Sequence, residues 1–167
     1  MKTKAFSLVE IILVVTILGI LGAIVFPEFQ DHVTKARETA AKDNLRAMRT
    51  QIELYKIQHK GSSPGYVNGN PVPEGTMQIQ LTGISTETGQ AQASTVPSDP
   101  YLNGPYVKKL PENPFNKLSN IKYVLEATAF SDAVDGTSSG WLYKKETAEI
   151  RINWTGTDSE GVNFYDY

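Results

Sequence analysis

Cysteine is absent from this chain, which excludes disulfides, thiolate metal sites and cysteine nucleophiles and leaves the redox compartment open. Histidine is nearly as scarce. His32 and His59 are the only two, lie on one helical stretch, and have no third partner spaced for a metal site or a triad. Both read as solvated helix residues. No dense Lys/Arg block occurs and the formal net charge is −2, so there is no nucleic-acid footprint. No carboxylate pair stands in a setting suited to acid–base catalysis, so the residues do not describe an enzyme. Charge is missing altogether between Ile11 and Phe26, where Thr16 supplies the only hydroxyl.

That uncharged run is the first thing present. Of 167 residues, 40% are hydrophobic and 20% charged, yet the apolar ones crowd toward the start. Phe6 to Phe26 would span about 31 Å as a helix, close to the hydrocarbon thickness of a bilayer. Lys2 and Lys4 precede it, which predicts a cytoplasmic N-terminus and an outward-facing remainder. A cleaved secretory signal is disfavoured, because "FPEFQDH" after the run offers no small-residue cleavage site.

Glu10 does not suit a plain anchor. An acid deep in a membrane helix costs about 2.5–3.5 kcal/mol and is usually functional and paired, unless it snorkels to the interface. The residues leading to it, "KTKAFSLVE", resemble the processing site of type IV prepilins and type II secretion pseudopilins. The resemblance implies cleavage between Ala5 and Phe6 by a membrane-embedded prepilin peptidase, then methylation of the new Phe6 amine. Ala5 stands where the family usually has glycine. Gly19, Gly22 and Pro27 match positions where family members carry helix-loosening residues. The free amine would be largely cationic near neutral pH. Glu10 is then a docking charge that pairs with the Phe6 amine of a neighbouring subunit and fixes axial register.

The resemblance divides the chain into a leader (1–5), a membrane or filament-core helix (6–27), an amphipathic continuation (28–60) and a pilin-like domain (61–167). In the continuation, Val33, Ala36, Ala40, Leu45, Met48, Ile52 and Tyr55 recur at helical steps, and Glu38 with Lys42 forms an exposed i,i+4 pair. "KGSSPG" stops the helix, with Gly61 as the C′ residue. Within the domain, 61–120 reads as loops with one short strand at "TMQIQLTGI" (Thr76 to Ile84), 121–155 as sheet and 156–167 as tail. The proline-rich stretch from Pro97 to Asn116 resembles a loop of major pseudopilins through its "GPY-KKLP-NP" core. Strand candidates are Ile121 to Ala127, Gly140 to Glu146 and Ala148 to Trp154, the last two as a hairpin. In the final strand Ile150, Ile152 and Trp154 share one face, and Glu149, Arg151 and Asn153 the other. The expected fold is α+β: a long N-terminal helix packed on a small C-terminal antiparallel sheet.

"SDAVDGTSS" places Asp132 and Asp135 among hydroxyls around Gly136. Calcium accepts such ligands, and the resemblance implies a calcium loop near the C-terminus; a solvated turn is the competing reading. The tail aromatics Phe164, Tyr165 and Tyr167 are expected to pack back on the domain. The partners implied by resemblance are further copies of the chain, minor pilins or pseudopilins, the prepilin peptidase, and an inner-membrane assembly platform with its ATPase. The competing function is an extracytoplasmic binding or enzymatic domain on an uncleaved anchor.

Overall fold

The computed structural model describes residues 7–167. Ala5 and Phe6, the expected processing site, lie outside the described residues. The chain forms two compact units, Met1–Arg37 and Glu38–Tyr167. One helix, α1 (Leu8–Gln58), supplies the described helical residues of the first unit and opens the second. In the first unit it stays helical through Gly19, Gly22 and Pro27. Among the described residues, a Cβ at either glycine would meet no atom within 4 Å outside the helix's own backbone, so none of them requires these positions to be small.

In the second unit, α1 buries Glu38, Ala41, Leu45, Met48, Ile52 and Tyr55. Their alternating steps of three and four residues make one stripe. Ala36 and Ala40, expected on that face, are exposed instead. Alanine suits either side of a helix, and Glu38 and Ala41 take the inward places. The expected Glu38–Lys42 surface pair does not form either, because both side chains turn to the tail. Beyond Gln58 the helix closes through left-handed Lys60 (φ 55°) and Gly61 (φ 84°), with the Gly61 N–H donating to the Lys56 carbonyl at 2.8 Å.

The segment read as loops holds more regular structure than expected. β1 (Tyr66–Val67) and β2 (Asn70–Pro71) form a hairpin across Asn68–Gly69, both at positive φ, the backbone that this dipeptide favours. "TMQIQLTGI" is not a strand. It belongs mostly to helix α2 (Glu74–Thr82), which follows Pro73 and buries Met77, Gln80 and Leu81. The same letters alternate at period two, but the spacing of 77, 80 and 81 with an acid in the first turn decides for helix. Buried Gln80 pins the surrounding loops: its Oε1 accepts from Gly65 N–H at 2.7 Å, and its Nε2 donates to the Tyr66 and Gly89 carbonyls at 2.8 and 2.7 Å. β3 (Ile84–Ser85) and β4 (Ala91–Gln92) pair next to it.

The main sheet has three strands in the order β5 (Ile121–Tyr123), β6 (Trp141–Lys144), β7 (Glu149–Ile152). β6 and β7 are the expected antiparallel hairpin, with Trp141 opposite Ile152 and Tyr143 opposite Ile150. β5 instead runs parallel to β6. A parallel neighbour needs a long connection, and residues 124–140, containing the short helix α3 (Phe130–Ala133), supply it. Trp141, Tyr143, Ile150, Ile152 and Ile121 share one core with Leu45, Met48 and Ile52 of α1 and with Met77 and Leu81 of α2. Each such side chain contributes about 1.5–3 kcal/mol by leaving water.

His59 departs from the solvated role expected of it. Its ring is 2% exposed and stacks on Tyr55 at 3.6 Å. Nδ1 lies 2.7 Å from the Tyr55 carbonyl and must donate to it, so Nε2, 3.0 Å from Ser85 Oγ, accepts in the neutral ring. Burial holds this imidazole below its usual 6.5. The unfolded chain therefore takes up the proton first. The pair's contribution is complete above pH 6.5 and declines as pH falls from there to the folded value. Thermal unfolding followed by tryptophan fluorescence should show a Tm falling through this window, and His59→Gln should flatten that dependence. His32, by contrast, is exposed, 3.3 Å from Glu28.

Candidate assembly site

Between Ile11 and Phe26 the helix is apolar on every side. Leu8, Val9, Ile11, Ile12 and Leu13 are each between 51 and 75% exposed, and the pattern continues to Phe29 at 62%. The one hydroxyl between Ile11 and Phe26 is self-satisfied, because Thr16 Oγ donates back to the Ile12 and Leu13 carbonyls at 2.6 and 2.9 Å. Such a surface offers water nothing and is long enough to cross a bilayer.

Glu10 stands in the first turn of this helix, its backbone N–H donating to the Ser7 carbonyl at 3.1 Å. The positive end of the helix dipole favours an anion there. No cationic side chain among the described residues forms an ion pair with its carboxylate, so the chain offers a negative charge at one end of an otherwise apolar rod. What can satisfy that charge in a dry setting is a cation brought by another molecule or created at the chain's own N-terminus.

Asp132 and Asp135 are not gathered into a cage. Asp132 sits on α3 with its carboxylate 3.3 Å from the neighbouring Ser131 hydroxyl. Asp135 Oδ1 accepts from the Thr137 and Ser138 N–H groups and from Asn153 Nδ2, each at 2.9 Å. Its Oδ2 takes the Ser138 hydroxyl at 2.5 Å and Lys122 Nζ at 3.0 Å. Burial pushes this carboxyl up, but the Ser138, Thr137 and Asn153 donors outweigh it and hold it well below the usual carboxylate range. A cation would have to displace those donors and repel Lys122, so the residues present do not fit a calcium site as arranged. Among the described residues, no three acids or histidines come together as metal ligands.

The sequence reading missed the residues that organise the sheet's far end and the tail. Asn153, grouped with Glu149 and Arg151 on the face opposite the isoleucines, is fully buried. Lys42, expected to pair along its own helix, reaches Asp158 at 2.6 Å. Neither is marked by spacing, since their partners lie across the fold.

Against known proteins, the chain is 32% identical over 114 residues to the type II secretion system core protein G of Pseudomonas aeruginosa, covering 68% of this chain and 69% of that one. The chain belongs to the family of type IV pilins and type II secretion pseudopilins. It is also 33% identical over 95 residues to the prepilin peptidase-dependent protein D of Escherichia coli, covering 53% of this chain and 65% of that one. With the type IV major alpha-pilin of Moraxella bovis it shares 29% over 149 residues, which is 88% of this chain and 73% of the pilin. No family model and no solved structure matches the chain. The pilin-like α+β fold, a long N-terminal helix followed by small sheets, agrees with this membership.

Proposed function

We propose that this pilin-family chain is a structural subunit of a type II secretion pseudopilus or a type IV pilus-like filament, made as an inner-membrane precursor with its N-terminus in the cytoplasm. A prepilin peptidase cuts between Ala5 and Phe6, and Phe6 becomes the methylated first residue. Copies of the mature chain then leave the membrane with their apolar helices inward, driven by an assembly platform and its ATPase. Minor pilins or pseudopilins complete the filament. Gly19, Gly22 and Pro27 let the helix bend or open when subunits pack.

The observation that carries this reading is the lone Glu10 at the start of a helical stretch, Ile11 to Phe26, that is apolar all round, four residues after the matched cleavage position. A tethered binding domain needs the apolar helix but has no use for that acid. Cleavage before Phe6 creates an amine that either closes on its own Glu10 before assembly or docks on that of a neighbour.

The test is the mature N-terminus. After expression with a prepilin peptidase, mass spectrometry of the N-terminal peptide should find N-methylated Phe6. A chain that keeps Met1 under those conditions is an anchored domain instead.

A further inference from the structure

The segment after β7 is held by side chains and not by a strand. Its regular elements are a 3-10 turn at Phe164–Asp166 and an isolated bridge between Thr157 and Asn163. Asp158 is the centre of the attachment, its side chain closed off from solvent. Oδ1 accepts from the Glu160 and Val162 N–H groups, both at 2.9 Å. Oδ2 accepts from Lys42 Nζ at 2.6 Å and from the Tyr167 hydroxyl. Lys42 also reaches the Tyr167 hydroxyl at 2.7 Å, and its ammonium lies 4.1 Å from that ring's centroid. The same stretch of α1 adds Glu38, which accepts from the Ser159 hydroxyl at 3.0 Å, and Arg49, which donates to the Tyr167 main-chain oxygen.

A carboxylate removed from water needs a cation against it. We propose that Lys42 is the resident cation of the tail: its ammonium does at Asp158 what a bound divalent ion would do, and residues 156–167 are held without one. Asp158 already has four donors on its two oxygens, and Asp135, the nearest acid in sequence with a comparable loop, is filled in the same way by backbone N–H groups and Lys122. Neither leaves a side open to a metal without expelling a lysine.

The protonation behaviour is consistent with that geometry. The bond from Lys42 holds the Asp158 carboxyl well below its usual range, and the same bond raises the Lys42 ammonium above its usual 10.5. The pair is therefore intact from mild acid to alkali. It is lost as pH falls below the usual carboxylate range to the folded Asp158 value, or rises past the folded Lys42 value.

The test uses the full chain in detergent micelles, with thermal unfolding read by tryptophan fluorescence. Trp154 reports on the tail, because it stacks on Phe115 at 5.3 Å and Phe115 meets Phe164 at 4.5 Å. The Tm in excess EDTA and in excess calcium chloride should agree within about 1 °C, whereas a ligand that binds the folded chain would separate them by several degrees. Lys42→Met should lower the Tm by about 5 °C or more, and Lys42→Arg should keep most of it. Should Lys42→Met fail to fold, Tyr167→Phe, which removes one hydroxyl from the cluster, should give a smaller loss. A wild-type Tm that drops in EDTA or climbs with calcium would overturn the proposal, as would a Lys42→Met protein that melts with the wild type.

Discussion

Glu10→Ala should leave the precursor in the membrane and abolish the filament. The substitution removes an acid from an apolar helix, so insertion is eased if it changes at all. Assembly is another matter. On the proposed reading, Phe6 carries a free amine and each subunit brings a positive charge into a packed, dry helix bundle. With Glu10 that charge is paired; without it, a buried cation stands alone. Breaking a buried pair by removing one partner costs about 3–5 kcal/mol. At 1.4 kcal/mol per decade, that weakens each subunit addition by about two to four orders of magnitude. Polymerisation multiplies the loss, because every added copy meets the same deficit. Glu10→Gln should fail nearly as completely, since it keeps shape but not charge. Glu10→Asp should assemble weakly. Shearing or pelleting of filaments with electron microscopy measures the outcome, and membrane fractionation confirms that the precursor is still made. Normal filaments from the alanine variant would refute the docking role.

Much of this reading was legible in the sequence because it depends on local pattern. The uncharged run, the acid inside it and the two lysines ahead of it are neighbours along the chain, and α1 follows from a repeat of three and four residues. The β6–β7 hairpin follows from two strand-like runs joined through "KETAE", the second of them alternating. What escaped depends on contacts between distant segments. His59 looks like any polar residue at a helix end until Ser85 and Tyr55 close over it. Lys42 and Glu38 have the spacing of a surface pair, but a tail more than a hundred residues later recruits each separately. The α2 segment fits two periods at once, and the spacing of its buried residues with the proline–acid start distinguishes them. The Asn68–Gly69 turn is a different case. Its dipeptide is a strong hairpin signal, and strands of two residues each were too short for alternation to support it.

The strand β5 was legible as a run, but its parallel pairing with β6 had no local mark, and the side chain that makes its surroundings work is Asn153. Its Oδ1 accepts from the Asp135 and Gly136 N–H groups, each at 2.9 Å. Its Nδ2 donates to the Ser139 carbonyl and hydroxyl at 3.0 Å and to Asp135 Oδ1 at 2.9 Å. One buried amide thus ties the end of β7 to the crossover that brings the chain back to β6. Asn153→Leu has a side chain of similar reach and no polar atom. It leaves the Asp135 and Gly136 N–H groups without their acceptor, the second of them buried, while the Ser139 carbonyl keeps Asn116 Nδ2 at 2.8 Å. Each unsatisfied group costs about 1–3 kcal/mol, so the variant should lose about 2–4 kcal/mol. Urea unfolding followed by tryptophan fluorescence should show the midpoint moving with little change in slope. Asn153→Asp separates the donors from the acceptors. It keeps an oxygen for the two N–H groups but sets a second carboxylate where an amide stands 2.9 Å from Asp135. Like charges at that distance oppose ionisation of both. This variant should therefore be weakest near neutral pH and recover part of its stability in acid, opposite in direction to the acid loss expected from His59. An Asn153→Leu protein as stable as the wild type would mean that water replaces the amide and that the crossover is held by the strands alone.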